Sequence, residues 1–284
     1  MIKQVSFETS QPILYLVSTP IGNLADITYR AVETLKTVDL ILVEDSRNSK
    51  VLLNHYNIDK PMMAYHDHNK EEKHATILKL LNEGKSIALI SDAGTPCIAD
   101  PGYELVKVVV ENYFNVVSIP GVSALLSALS VAGLNTSPFT FLGFLPKKES
   151  QIKTLIQKYQ HDMATLVIYE SPNRIKKSIA LIAEILSNRN VCIARELTKK
   201  FETIIRTKLH EVNLEQLDHR GEYVLLIEGQ LTPSVVSIEE LLDQVKDLIS
   251  KNMSQSDAIK QVALDYNYSK NEIYNAYLQT KVKE

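Results

Sequence analysis

Acids, hydroxyls and glycines gather in four short stretches of the chain: 18–28 (STPIGNLADIT), 44–47 (EDSR), 91–102 (SDAGTPCIADPG) and 120–129 (PGVSALLSAL). The chain has only 9 glycines, and Gly22, Gly94, Gly102 and Gly121 all fall in these stretches. Glycine is needed where backbone comes close to a ligand or turns with positive φ. Asp92 can accept a hydrogen bond from an amino group, or it can cap its own Asp-x-Gly turn. Ser123 reads as a helix N-cap, and a ligand contact there is compatible because the first N–H groups of a helix are unpaired. Glu44, Asp45, Asp100, Glu170 and Glu196 are the candidate proton acceptors, and no sequence ground singles one out. Strand side chains alternate, so at most one of Glu44 and Asp45 faces a cleft if the strand runs that far. Asp45 is favoured for the ligand-facing rim. Arg47 and Arg174 are planar donors suited to phosphate oxygens. Arg195 and Lys199, with Lys176, Lys177 and Lys200, either add a local basic face or make ordinary ion pairs.

Several familiar chemistries are missing. There is no GxGxxG fingerprint, no GxxxxGK[ST] loop, no GxSxG elbow and no HExxH pair. His66, His68 and His74 lie on a polar stretch and read as solvated surface, so no metal site is expected. Cys97 and Cys192 lack metal-ligand spacing and make no disulfide framework. Free cysteines of this kind fit a reducing compartment. Loops rich in backbone and hydroxyls but poor in cations suit a ligand with a polar head that is not strongly anionic. A nucleoside carrying an amino-acid tail, such as S-adenosylmethionine (SAM), fits that description.

The elements that must position these loops follow from periodicity. Apolar, β-branched runs occur at 13–17, 39–43, 86–90 and 116–119. Helix-period segments follow at 28–37, 46–56, 68–82 and 103–111. Such alternation predicts βαβ units and a mostly parallel sheet. Ligands on such sheets bind at the carboxyl ends of the strands, where all four loops fall. From about 121 to 235 the pattern becomes strand-richer, with strands at 139–144, 165–169, 191–194 and 223–227 and helices at 123–132 and 173–186. From 236 to 284 it is helical, at 238–250, 256–266 and 271–279. Hydroxyl-to-acid spacings at Ser254/Asp257 and Ser269/Glu272 predict capping boxes there. Short helices joined by tight turns resemble a helix-turn-helix, although a simple helical clip on the body has the same pattern. The expected organisation is 1–120, 121–235 and 236–284.

Composition bounds the rest. With 45% apolar and 23% charged residues, the 284-residue chain reads as globular and not disordered. No apolar run approaches the ~18 residues of a bilayer span. Residues 1–10 lack a signal-peptide core, so the expected location is the cytoplasm, with no membrane partner. A net charge of −3 excludes nucleic-acid binding by bulk electrostatics, so any RNA contact requires a local patch.

In order along the chain come VSTPIGNLADIT (17–28), VEDSR (43–47), SDAGTPCIADPG (91–102), PGVSALLSALSVAGL (120–134), FTFLGFLPKK (139–148), YESPNR (169–174), ARELTK (194–199) and GEYVLLIEG (221–229). Together they resemble the tetrapyrrole-methylase superfamily, and within it the 16S rRNA cytidine 2′-O-methyltransferases. The resemblance spans roughly residues 12–284 and rests on the combination, since each motif alone is weak. Two departures are Ser46, where the family usually has Thr, and Asn173, where it often has His.

The resemblance implies a class III SAM-methyltransferase fold. It has two α/β domains with a cleft between them, followed by a small helical, helix-turn-helix-like C-terminal domain. It implies a homodimer that methylates the ribose 2′-oxygen of a decoding-region cytidine of 16S rRNA in the 30S subunit. It places Pro20, Gly22, Asp92, Ala93, Gly94, Thr95, Ser123, Ala124, Tyr169, Glu170, Leu197 and Gly221, with Glu222, on the SAM side. Asp45, Glu44, Asp100 and Glu196 stand as catalytic candidates, and Arg47, Arg174, Arg195 and Lys199 as substrate contacts. Two alternatives stay open: a methyltransferase of the same fold acting on a small molecule, and a non-catalytic RNA-binding factor. The helical tail is expected to contact RNA or the second subunit.

Overall fold

The computed structural model describes every residue except 1, 8–10, 67–68, 231–236, 252, 267 and 282–284. The first lobe alternates as the sequence predicts: β1 (Ile13–Val17), α1 (Tyr29–Thr37), β2 (Leu40–Val43), α2 (Ser46–His55), β3 (Met62–Ala64), α3 (Lys70–Asn82), β4 (Ile87–Leu89), α4 (Tyr103–Glu111) and β5 (Asn115–Ile119). The strands pair in parallel in the order β3-β2-β4-β1-β5. Both faces of the sheet are buried. One core contains Val17, Leu35 and Ile41, and the other contains Leu14, Leu42 and Leu105. This explains the near-continuous apolar strands, since a parallel sheet has helices on both sides.

The order fixes where a ligand can sit. After β1 the chain crosses to β2, and after β4 it crosses to β5, so neighbouring strands β1 and β4 send their chains in opposite directions. The crevice between them is a topological switch point, the usual binding place on such sheets.

The second lobe begins with α5 (Ala124–Val131) and continues through β6 (Phe139–Phe144), α6 (Glu149–Lys158), β7 (Thr165–Glu170), α7 (Ile175–Leu186), β8 (Asn190–Arg195), β9 (Thr203–Lys208) and β10 (Tyr223–Ile227). Its sheet order is β6-β7-β10-β8-β9, parallel only between β6 and β7. One face packs on α6 and α7 through residues such as Ile156, Ile179 and Ile182. The other meets α5, and Ile21 from the loop after β1 joins that core. Strands β3 and β9 and helix α6 are absent from the sequence reading. β3 is a three-residue edge strand without apolar alternation, and β9 is a sheet edge whose residues are exposed or half-buried.

Helices α8 (Ile238–Ser250), α9 (Gln255–Asp265) and α10 (Lys270–Lys281) pack around their own core, including Leu241, Ile259 and Ile273. The expected boundary at 235/236 lies outside the described residues, as does His68. The reciprocal capping box forms at Ser237/Glu240, which the sequence reading does not name. At Ser254 the hydroxyl accepts from the Asp257 N–H, while the Asp257 carboxylate is drawn to that same hydroxyl at 2.6 Å.

Candidate active site

Small residues crowd the strand exits because three loops are tied together there. Thr19 and Gly94 exchange backbone hydrogen bonds of 2.9 and 3.0 Å, joining the loops after β1 and β4 at the switch point. The Ser18 and Thr95 hydroxyls lie 3.0 Å apart, and Thr95 Oγ1 donates to the Val122 carbonyl beyond β5 at 3.2 Å. Gly94 turns with φ 82°, and a Cβ on Gly121 would fall 2.8 Å from that of Ser18. Both positions require glycine, one for conformation and one for close approach.

These loops face the second lobe across a cavity of about 380 Å³. That is within the range of small-molecule sites, roughly 300–1,000 Å³. Ile21, Ala93, Gly94 and Thr95 line it from the first lobe, with Ile98 and Ala99. Ser123, Ala124, Phe144 and Tyr169 line it from the second, with Pro172 and Val224. Tyr169 lies at the end of β7, and its hydroxyl accepts from the Leu125 N–H at 2.9 Å, fixing the start of α5. Burial pushes its phenol up.

The polar wall is acidic. Glu44, Asp92, Asp100, Glu170 and Glu222 line the cavity, and among the described lining residues there is no Lys, Arg or His. Asp92 accepts from the Asp45 N–H at 3.3 Å and from Asn48 Nδ2 at 2.8 Å. Burial, and next the facing Glu44 carboxylate, raise Asp100 to about 6; Asp92 adds to the rise and a Ser91 hydrogen bond opposes it. Glu170 is buried, and accepts from the Ser171 N–H at 2.8 Å and from Ser178 Oγ at 2.7 Å.

Several sequence expectations are corrected here. Asp45 does not take the ligand-facing rim. Strand β2 ends at Val43, and Asp45 instead N-caps α2, accepting from the Arg47 N–H at 2.8 Å and pairing with its guanidinium at 2.7 Å. Arg47 holds the Asp45 carboxyl down at about 2. Glu44 is the acid of that pair that lines the cavity. Glu196 is also off the cavity and pairs with Lys199 at 2.8 Å. Arg174 does not line this cavity. It donates to the carbonyls of Leu145 and Pro146 at 3.0 and 2.6 Å and lies 3.6 Å from Glu170. Arg195 is committed to Asp218 and to the Arg220 carbonyl, both at 3.0 Å. Arg47 is held by Asp45 but stays open to solvent.

Of the residues that the resemblance assigns to SAM, Asp92, Ala93, Gly94, Thr95, Ser123, Ala124, Tyr169 and Glu170 come together around the cavity. Pro20, Gly22, Leu197 and Gly221 do not line it. Pro20 and Leu197 are buried behind it, Gly22 lies under Lys199, and a Cβ on Gly221 would strike the Glu196 side chain. Ile98, Phe144 and Pro172 join the lining without a motif that assigns them to it. Among the described residues no group of three metal-ligating side chains occurs.

Residues 13–213 match the family model of tetrapyrrole (corrin/porphyrin) methylases. The chain is 42% identical to the ribosomal RNA small subunit methyltransferase I of Bacillus subtilis (strain 168), over 97% of this chain and 98% of that protein. It is 43% identical to the protein of the same name from Halalkalibacterium halodurans, over 94% of each. Among solved structures, diphthine synthase superposes with a TM-score of 0.62 at 14% identity, covering 76% of this chain and 90% of that one. A likeness at that identity shows the fold alone.

Proposed function

Because the chain belongs to the tetrapyrrole methylase family, in its branch of ribosomal RNA small subunit methyltransferases I, we propose that it methylates the ribose 2′-oxygen of a decoding-region cytidine in 16S rRNA, with SAM as donor. The observation that carries the reading to this site is the cavity at the switch point, lined by the acids Glu44, Asp92 and Asp100 on the first-lobe side and by no cation among the described residues. Such a wall repels phosphate and suits a ligand bearing a sulfonium and an ammonium. The same wall disfavours the alternative of a carboxylate-bearing macrocycle as substrate.

When bound, SAM supplies an electrophilic methyl group on a cationic sulfur. The protein's part is alignment, electrostatics and one proton. Asp92 is held in place by Asn48 and by the Asp45 backbone, so it offers a fixed acceptor with little reorganisation. Tyr169 and the ties of Thr19 to Gly94 and of Thr95 to Val122 keep the loops in a single geometry, on which alignment depends. Asp100, raised toward neutrality, is the carboxylate best matched to receive the 2′-hydroxyl proton near pH 7. Burial supplies the largest part of that rise and Glu44 adds to it by repulsion.

A homodimer in the cytoplasm belongs to the same reading, because small subunits are assembled there; sedimentation velocity checks the dimer. No helix among the described residues is long and apolar enough to cross a membrane. The deciding experiment incubates small subunits with methyl-labelled SAM and maps the label by nuclease digestion. Label in one 2′-O-methylcytidine is the expected outcome. Label on a base, or none, overturns the proposal.

A further inference from the structure

The turn that leaves β6 is built to present an aromatic ring. Phe141 and Phe144 are three apart, so strict alternation would send them to opposite faces of the sheet. The pairing of β6 with β7 instead slips between Phe141 and Gly143, a bulge for which Gly143 takes φ 64°. One inserted residue restores Phe144 to the face of Phe141 and Tyr169. Both phenylalanine rings meet Tyr169 edge-on, with centroids 4.8 and 5.7 Å away. Phe144 lines the cavity yet is 58% exposed, and across the cleft Ile98 of the first lobe lines the same cavity at 55% exposure. Two large apolar side chains left open in one cavity, one from each lobe, offer contact to a flat group.

The chain beyond the ring carries charge. Lys147 and Lys148 follow after Leu145 and Pro146, both exposed and in no ion pair with a described residue, whereas Lys153, Lys176 and Lys177 are each paired with an acid. Arg174 grips the carbonyls of Leu145 and Pro146 between them, so the turn is held and not loose.

We infer that Phe144 and Ile98 clasp the target cytosine after it is drawn out of its stack, while Lys147 and Lys148 meet the phosphates beside it. Arg174 acts as a positioning residue for that turn. Enzymes that reach an atom within structured nucleic acid splay the nucleotide out and stack its base between aromatic or apolar groups. The inference rests on the RNA-methyltransferase reading and specifies how that site takes its substrate.

The test uses the full-length protein with F144A, F144Y and K147A/K148A, in single-turnover methylation of small subunits, with SAM affinity measured by calorimetry. Phe144 is exposed, so its truncation leaves the fold intact. F144A is expected to lose about ten- to hundredfold in kcat/KM for subunits, the order of one lost base–aromatic stack. F144Y, which retains an aromatic face, is expected to recover most of that loss, and all three bind SAM within about twofold of the parent. K147A/K148A flattens the log–log salt dependence by about 1.4, at ~0.7 for each single-strand phosphate contact. If F144A weakens SAM binding and leaves the KM for subunits unmoved, the ring belongs to the adenosine and the inference fails. Variants equal to the parent in rate and salt slope also overturn it. If the unaltered protein methylates no subunit, the underlying reading itself has failed, a result distinct from either.

Discussion

Lys199 lies across Gly22, and this contact joins the two lobes behind the cavity. A Cβ at residue 22 would fall 2.4 Å from Lys199 Cγ and 2.6 Å from its Cε. The far end of the same side chain is held by Glu196 at 2.8 Å and by Glu222 at 3.2 Å. Burial alone would lower the Lys199 ammonium, but these two acids outweigh it and raise it. The stem cannot swing aside without releasing Nζ. Gly22→Ala is therefore expected to break both ion pairs and shift the seam, costing about 1–2 kcal/mol, a few degrees in Tm. Lys199→Ala removes the obstacle. The double variant should melt above the sum of the two single effects, a positive coupling that a thermal double-mutant cycle reads directly. Strict additivity would show that the contact carries no energy.

Glu44 and Asp45 are neighbours with opposite duties. Asp45 serves α2 and Arg47, while Glu44 lines the cavity. Asp45→Asn keeps an N-capping acceptor, since Asn caps about as well as Asp. It is expected to stay within about threefold of the parent in methyl transfer. Glu44→Gln removes a cavity charge and is expected to lose about tenfold or more in kcat/KM for SAM. Rates measured side by side at fixed subunit concentration decide between the two acids. The reverse ranking would return Asp45 to the site.

The sequence made the cavity's loops legible because the same requirement writes both records. A strand exit that must meet two other loops needs glycines and hydroxyls, and Thr19, Gly94, Thr95 and Gly121 satisfy it visibly. What stayed hidden depended on a register or on a distant acceptor. Alternation along β2 could not choose Glu44, because the strand stops at Val43 and a helix claims Asp45 as its cap. Arg174 resembles a phosphate donor in sequence because its acceptors are main-chain carbonyls 28 and 29 residues away. Phe144 has a sequence signal, since Gly143 within a strand-like run marks a bulge.

The helical tail has its own core, and one described ring contact, between His161 and Tyr266 at 5.4 Å, reaches the second lobe. We propose it as a separate domain that serves the ribosomal substrate and not the cofactor. Deleting 236–284 is expected to leave SAM affinity within about twofold while lowering subunit methylation by about tenfold. Calorimetry with SAM and filter binding of subunits separate the two effects. A truncated protein that loses SAM binding would make the tail part of the body's fold.

Asp100 gives the enzyme a pH signature whose sign is fixed. Burial and the facing Glu44 raise its carboxyl to about 6, so the native state keeps a proton that the unfolded chain, near 3.8, has already released. Two consequences follow from the same shift. A reaction that needs the ionised carboxylate rises with pH through about 6 and then levels. Because kcat/KM reports the free enzyme, the inflection belongs in the profile for SAM at low concentration. Glu44→Gln removes a like charge and moves the inflection to lower pH, whereas Asp100→Asn flattens the profile and lowers the rate by about 10²–10⁴-fold. The second consequence is for stability. With the folded value above the unfolded one, native stability falls as pH rises from 3.8 through about 6, because ionisation is disfavoured in the fold. Asp100→Asn is thus expected to raise Tm at pH 8 and to change it little at pH 4. Loss of activity and gain of stability in one variant mark a group held in a strained electrostatic state for its chemistry. An Asp100→Asn protein that keeps the inflection near 6 would move the proton-accepting role to another carboxylate of the wall.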